Sequence, residues 1–118
     1  MQRTMLKSKL HRATVTDASL HYEGSITIDE NLMDAADFVT YEKVDIYNVS
    51  NGERFSTYVI PGKRESGVMC LNGAAARKCS KGDLIIIATY TSVDDEEAKS
   101  WNAKCVLLGE NNIIKKIK

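Results

Sequence analysis

The sequence has few of the residues that define several common protein classes. Its 118 residues include one proline, three cysteines, two histidines and one tryptophan, and the formal net charge is zero. Three cysteines without a Cys-X-X-Cys pair predict neither a disulfide framework nor a thiolate metal site, so we expect Cys70, Cys79 and Cys105 to be reduced and structural. Balanced charge lacks the electrostatic footprint of a protein that follows a phosphate backbone, so nucleic acid is not an expected partner.

Long hydrophobic segments are also missing. The longest apolar run, 84–88, is far shorter than the roughly 20 residues that span a bilayer. The N-terminus carries Arg3, Lys7 and Lys9 and has no apolar signal region. We therefore expect a cytoplasmic protein with no membrane partner. The length of the chain and its 43% hydrophobic content predict a single domain, 1–118, with a modest core.

Strand patterns dominate what is present. Alternating polar and apolar residues from Arg3 to Thr16 predict a long strand on which Lys9, His11, Ala13 and Val15 share one face. Further strands are predicted over 44–49, 54–60, 68–71, 84–91 and 103–108, with an edge strand at 113–114. Short helices are predicted over 29–37, after 72 and from 94. The pattern is that of a mostly β barrel with a few short helices.

Turn residues mark the boundaries of these segments. Asn51 and Gly52 predict a tight hairpin in which both residues have positive φ. Pro61 and Gly62 predict the end of the following strand. Asn72 is the expected N-cap of a helix that begins with small residues.

The strand over 54–60 divides its side chains between two faces. Arg54, Ser56 and Tyr58 are predicted to lie on one face, and Phe55 and Thr57 on the other. One ligand could meet Arg54, Tyr58 and Thr57 together only if the strand bulges or a neighbouring subunit contributes.

Gly24 and Ser25 precede a short β-branched segment and admit two interpretations. Glycine tolerates backbone conformations closed to other residues, so the bond to Ser25 could be held in a strained turn with the serine hydroxyl near the preceding carbonyl. That arrangement would favour self-cleavage. The same two residues are common in turns, so by themselves they favour an ordinary turn before a strand.

Five blocks together resemble the bacterial L-aspartate α-decarboxylase family. They are KSKLHRA (7–13), LHYEGS (20–25), NGERFSTY (51–58), LNGAAA (71–76) and GDLIIIA (82–88). Each block alone is poor evidence, whereas their order and spacing over nearly the whole chain are specific. The sequence departs from familiar members at Tyr47, where tryptophan is expected in some of them, and in its short C-terminal tail.

The resemblance implies a fold, an activity and a cofactor. It implies a double-psi β-barrel, a homotetramer, and decarboxylation of L-aspartate to β-alanine and carbon dioxide for pantothenate biosynthesis. The implied cofactor is a pyruvoyl group made from Ser25 after self-cleavage into chains 1–24 and 25–118, with no metal and no pyridoxal phosphate. A maturation factor is an additional partner to be considered.

The resemblance also assigns roles to single residues. Ser25 is the precursor of the pyruvoyl group that forms a Schiff base with the substrate, and Gly24 and Thr57 take part in processing. Tyr58 is the expected proton donor. The expected substrate contacts are Lys9, Arg54, Thr57, Asn72, Gly73, Ala74 and Ala75. His11 and Tyr22 are expected to play supporting roles.

General chemistry is compatible with these roles, and each has a structural alternative. Arg54 can donate two parallel hydrogen bonds to a carboxylate, but it could also be an exposed hairpin residue. Tyr58 could be a buried structural tyrosine. Thr57 could be present for its β propensity. Asn72 and Gly73 suit a tight strand-to-helix turn as well as a carboxylate site at exposed N–H groups.

Two other classes of function stay open at the level of sequence. One is a β-barrel interaction or regulatory module in which Gly24 and Ser25 form an ordinary turn. The other is a hydrolase that uses a cysteine nucleophile with His11 or His21, although no local feature activates any cysteine.

Overall fold

Nine strands and two short α-helices make up the fold. The computed structural model describes all residues, 1–118. The strands are β1 (Gln2–Thr14), β2 (Asp17–Ser19), β3 (Ser25–Asp29), β4 (Lys43–Asn48), β5 (Arg54–Gly62), β6 (Met69–Asn72), β7 (Leu84–Asp94), β8 (Lys104–Leu108) and β9 (Ile114–Ile117). The helices are α1 (Glu30–Ala36) and α2 (Asp95–Ala98), and 3₁₀ turns lie at Gly73–Arg77 and Glu110–Asn112. The mostly β fold is confirmed.

The strands form one sheet in the order β2-β6-β3-β5-β4-β7-β1-β8-β9. The chain leaves β1 and reaches β6 within a few residues. The contact is marked by a hydrogen bond of 2.8 Å from the Thr16 N–H to the Met69 carbonyl. Strand β2 then pairs in parallel with β6. The first strand therefore leads directly to the opposite end of the strand order, and the sheet curls onto itself around a core of 19 buried residues. Such closure is what a β-barrel requires.

The long first strand contains a bulge that the sequence pattern did not predict. Its register with β7 shifts between Leu10 and Ala13, and Arg12 has φ +64°. Beyond the bulge Ala13 is fully buried, whereas Lys9 and His11 are only half-buried. The prediction that Lys9, His11 and Ala13 share one face is therefore wrong, because one inserted residue exchanges the two faces of a strand.

Two turn predictions also differ from the structure. Gly52 has φ +79°, but Asn51 does not have positive φ. Strands β4 and β5 are joined by a longer loop, in which the Gly52 N–H donates to the Asn48 carbonyl at 2.9 Å. Strand β5 includes Pro61 and ends at Gly62, two residues beyond the predicted bound of 60. Pro61 and Gly62 pair in parallel with Ile28 and Asp29 of β3, whereas the pairing of β5 with β4 ends at Tyr58.

Two of the three predicted helical segments are present as α-helices, and both are capped by an aspartate. The Asp29 carboxylate accepts from the Asn31 N–H at 2.9 Å at the start of α1, and Asp94 accepts from the Glu97 N–H at the start of α2. Neither these helices nor any other in the chain has the length and apolar character needed to cross a membrane.

Candidate active site

Ser25 is the first residue of β3 and is almost completely buried. Its side chain is 1% exposed. The hydroxyl donates to the Glu23 carbonyl at 3.3 Å and accepts from the Asn72 amide at 2.9 Å. The oxygen is therefore turned back towards the chain segment that precedes it and is held there by a second residue.

Asn72 holds Ser25 from the neighbouring strand. It lies opposite Ser25 in the antiparallel pairing of β3 with β6, and its amide nitrogen also donates to the Thr27 hydroxyl at 2.9 Å. The prediction that Asn72 caps a helix is wrong, because its side chain makes no capping hydrogen bond and only a five-residue 3₁₀ turn follows. One short turn supplies little helix dipole, so a carboxylate site based on a helix N-terminus is not supported.

Gly73 brings the 3₁₀ turn against the segment before Ser25. It has φ +66°, and a Cβ at this position would lie 2.6 Å from the Tyr22 carbonyl oxygen and 2.8 Å from the nitrogen and Cα of Gly24. Only a residue without a side chain permits this approach. The backbone of Tyr22 and Gly24 is thus packed against Gly73, and the Tyr22 side chain is 59% exposed.

Gly24 itself is not sterically constrained. Its φ is not among the positive values of the chain, and a Cβ there would meet no atom within 4 Å. The expected strained turn at Gly24 is therefore absent from the structure. The conformational requirement for glycine lies at Gly73.

A cavity of about 430 Å³ opens beside Gly24. Its walls are formed by Gly24, Phe55, Ser56, Thr57, Tyr58, Ala74, Ala75 and Lys78. Five of the residues predicted for the site therefore line one space, next to Ser25. Thr57 and Tyr58 both line it although their side chains alternate along β5, because the cavity lies at the edge of that strand.

The edge of β5 also presents peptide groups to this space. The Val59 N–H donates to the Glu42 carbonyl at 3.1 Å, and the Val59 carbonyl accepts from the Tyr41 N–H at 2.7 Å. Both hydrogen bonds lie on the side of β5 that faces away from the cavity. Peptide groups alternate in direction along a strand, so those of Ser56 and Tyr58 point the other way, towards the cavity. The Tyr58 ring packs against Tyr41, with 6.0 Å between the ring centroids.

Besides Tyr22, Ser25, Asn72 and Gly73, which adjoin Gly24 or Ser25, three predicted site residues lie outside this cavity. Lys9 and His11 are on β1, and Arg54 is exposed at the start of β5. Neither Lys9 nor Arg54 forms an ion pair within the chain. Buried His11 Nδ1 has no hydrogen-bond partner. Burial, and then the positive charge of Lys9 and Arg12, lower the pKa of His11. The single chain therefore assembles only part of the predicted site.

Arg54 belongs to a group that sequence reasoning missed. The carbon at the centre of its guanidinium lies 4.0 Å from the centre of the Tyr47 ring, and the Tyr47 hydroxyl is 2.7 Å from that of Tyr90. The sequence signals Tyr47 by its departure from tryptophan. Tyr90 gave no comparable signal, because its contact depends on the pairing of β4 with β7.

Cysteine chemistry receives no support from the structure. Burial raises the pKa of the Cys79 thiol to about 11 and also raises the pKa of Cys70. A raised pKa reduces the thiolate fraction that a nucleophile needs. No group of three or more His, Cys, Asp and Glu side chains is arranged to hold a metal ion.

Comparison with known proteins defines the class of the chain. The sequence profile described as aspartate decarboxylase matches residues 1–115. An aspartate 1-decarboxylase of Syntrophus aciditrophicus is 71% identical over 98% of this chain and 99% of its own length. That of Ralstonia pickettii is 64% identical over 100% and 98%, and that of Thermoanaerobacter pseudethanolicus 59% over 95% and 96%.

These matches span essentially the whole of both chains. The chain is therefore an enzyme of the carboxy-lyase class. The chain belongs to the aspartate decarboxylase family. The resemblance found in the five sequence blocks is confirmed, and the interaction module and the cysteine hydrolase are set aside.

Proposed function

We propose that the chain cleaves itself between Gly24 and Ser25 and that the product, chains 1–24 and 25–118, decarboxylates L-aspartate to β-alanine and carbon dioxide. The observation that carries the proposal is the environment of Ser25. Its buried hydroxyl is fixed by Asn72, turned towards the preceding segment and placed beside the cavity at Gly24. An ordinary surface turn has no need of these features.

The proposed maturation uses atoms already in the chain. Ser25 Oγ attacks the Gly24 carbonyl carbon, the C–N bond breaks, and the acyl group moves from nitrogen to oxygen as an ester. Elimination then releases Gly24 as a carboxylate and leaves a dehydroalanine at position 25. Its enamine tautomerises to an imine, and one water molecule converts the imine to a pyruvoyl group with loss of ammonia.

Donors are available for the oxyanion formed in the first step. The Thr57 side chain and the inward N–H groups of Ser56 and Tyr58 belong to the edge of β5 that lines the same cavity as Gly24. A preorganised donor of this kind is typically worth about 3 to 4 kcal/mol. Thr57 is therefore proposed to assist processing and, in the mature enzyme, to contact the substrate together with Asn72, Gly73, Ala74 and Ala75.

The residues present fit a pyruvoyl group at position 25. Its carbonyl would supply an electron sink for loss of carbon dioxide from an amine-bearing carbon. Around it, Tyr58 is proposed to deliver a proton to that carbon and Arg54 to bind a substrate carboxylate. Lys9 is proposed as a second cation near the substrate, and His11 and Tyr22 as supporting residues. No metal and no pyridoxal phosphate is proposed.

The proposed assembly is a homotetramer with sites shared between chains. Its support is the separation of Lys9 and Arg54 from the cavity beside Ser25, combined with the absence of any acidic partner for either side chain within the chain. A second copy would place these cations over its neighbour's cavity. Cytoplasmic location, supply of β-alanine for pantothenate and assistance by a maturation factor are proposed on the resemblance alone.

Coexpression of two inactive variants tests the shared site. At aspartate concentrations well below KM, we expect Arg54→Ala and Ser25→Ala chains to be nearly inactive alone and mixed tetramers to regain about a quarter to a half of the wild-type activity, since that fraction of their sites then holds both native residues. Decarboxylase assays on hybrids confirmed by native mass spectrometry provide the measurement. Hybrids that assemble without recovering activity would show that each chain supplies its own Arg54.

Denaturing mass spectrometry tests the proposed function itself. After prolonged incubation we expect two fragments that end at Gly24 and begin at position 25, the longer with a blocked N-terminus that reacts with a hydrazine. Fragments should accumulate in parallel with decarboxylation of aspartate. Activity from a chain that stays intact and unmodified would refute the pyruvoyl mechanism while leaving the family assignment unaffected.

Gly73→Ala is expected to slow cleavage by at least about 100-fold, because the added Cβ must displace the backbone at Tyr22 and Gly24 and small misplacements of reacting groups have effects of this size. Fragment formation followed by mass spectrometry measures the rate. Gly82→Ala is the matched control, since Gly82 has φ +94° but open space around it. Equal rates of cleavage in the two variants would assign the effect to backbone strain rather than to the contact.

A further inference from the structure

Three neighbouring strands carry a connected group on the outer surface of the barrel. Arg54 of β5 lies directly opposite Tyr47 of β4, and its guanidinium covers the Tyr47 ring at 4.0 Å. Strand β4 pairs with β7, where the Tyr90 hydroxyl meets that of Tyr47 at 2.7 Å. The face of the Tyr47 ring thus contacts the Arg54 guanidinium, and the Tyr47 hydroxyl is hydrogen-bonded to Tyr90 of β7.

This group orders a cation without neutralising it. Arg54 is exposed, and an exposed arginine ordinarily loses much side-chain freedom when it binds a ligand. Contact with the face of a tyrosine restricts the guanidinium and leaves its N–H groups free. No acid pairs with Arg54 in the chain, so the fork is available to a carboxylate from outside.

The Tyr90 hydroxyl retains its proton at neutral pH. The hydrogen bond to Tyr47, together with burial, raises the pKa of Tyr90 to about 12. Tyr90 is therefore a neutral phenol at neutral and moderately alkaline pH and can share a hydrogen bond with the Tyr47 hydroxyl.

We infer that Tyr47 and Tyr90 are positioning residues that hold Arg54 in the orientation in which it receives the side-chain carboxylate of the substrate. The inference rests on the proposed function, because it takes Arg54 as a substrate contact. The side-chain carboxylate is favoured because it keeps its charge throughout the reaction. Binding the carboxylate that departs would stabilise the ground state more than the transition state and would oppose its loss.

A contact of this kind contributes equally to substrate and transition state, so its loss raises KM and leaves kcat unchanged. Tyr90→Phe removes only the hydroxyl that ties Tyr47. We expect an increase in KM for aspartate of about three- to fivefold, with kcat within about twofold and complete cleavage at Gly24. Succinate, which has both carboxylates but no amine to react, should show the same increase in its inhibition constant.

The Tyr47 and Tyr90 hydroxyls share a single hydrogen bond, so removing both hydroxyls should raise KM no more than removing either one. Tyr47→Phe, Tyr90→Phe and the double variant are expected to give the same KM within about twofold. Ser92→Ala is the control. It removes an exposed hydroxyl of β7 that contacts Gln2, away from Arg54, and should leave KM unchanged.

Arg54→Lys distinguishes the positioning role of Tyr47 and Tyr90 from the proposed role of Arg54 as a substrate contact. It should raise KM by at least about tenfold because it removes the planar fork, and Tyr90→Phe should add nothing further in that background. No change in KM in Arg54→Lys would overturn both the proposed role of Arg54 and the inference. A raised KM in Arg54→Lys with wild-type KM and succinate inhibition in Tyr90→Phe would overturn the inference alone, as would a loss of kcat without a change in KM in Tyr90→Phe.

Discussion

Ser25→Ala is expected to leave the chain intact at Gly24 and to lower decarboxylation to background, a loss of about 10⁶-fold, as for removal of a nucleophile in other enzymes. The substitution removes only Oγ, so the attack on the Gly24 carbonyl cannot occur and position 25 cannot become a carbonyl. Denaturing mass spectrometry and assay of carbon dioxide release provide the two measurements. The fold should persist, because the Asn72 amide keeps the Thr27 hydroxyl as an acceptor.

Thr27→Val is the matched control for this variant. It removes the other hydroxyl that Asn72 contacts, on the same strand and at nearly constant side-chain volume. Any general disturbance of β3 or of the Asn72 amide should affect both variants, whereas loss of the nucleophile affects only Ser25→Ala. We expect Thr27→Val to be cleaved and active. Cleavage of Ser25→Ala at the same bond, or an uncleaved Thr27→Val, would contradict a specific role for the Ser25 hydroxyl.

The strands were predictable because they depend on alternation over short distances. Core positions such as Ile26, Ile46 and Ile87 are fully buried, as expected for apolar residues that share a strand face. The bulge at Arg12 was not predictable, since it appears in the sequence only as an interrupted pattern and is stabilised by pairing with β7, which is distant in sequence. The turn at Gly52 similarly depends on the register of two strands.

The candidate site was partly predictable for a related reason. The five blocks identified Ser25, Thr57, Tyr58 and the segment after Asn72, which the fold brings to one cavity and its margin. The contacts of each side chain were harder to predict from the sequence. Asn72 follows a strand and precedes small residues, which is typical of a cap, but its amide is taken up by hydroxyls on β3. The contact of Tyr90 with Tyr47 requires knowledge of neighbouring strands and of their register.

Tyr58→Phe is expected to be cleaved normally at Gly24 and to decarboxylate aspartate about 10² to 10⁴ times more slowly, the usual contribution of a positioned proton donor. Phenylalanine keeps the ring that packs against Tyr41 and the peptide groups at the edge of β5, so the cavity and the processing groups stay in place. Only the hydroxyl that would protonate the carbon is lost. Because that proton is needed after the substrate has bound, kcat should fall while KM changes little.

Tyr41→Phe provides the comparison for this variant. Its ring lies 6.0 Å from that of Tyr58, and it is 74% exposed, so the substitution removes a neighbouring hydroxyl in contact with solvent. We expect Tyr41→Phe to retain kcat within about threefold, since solvated surface groups away from the reacting atoms contribute little. Steady-state assays of both fully cleaved proteins make the comparison. Full activity in Tyr58→Phe would exclude the tyrosine as proton donor and leave a water molecule or another donor in the cavity for that step. Equal losses in the two variants would contradict a specific role for the Tyr58 hydroxyl, because Tyr41→Phe removes a hydroxyl that does not line the cavity.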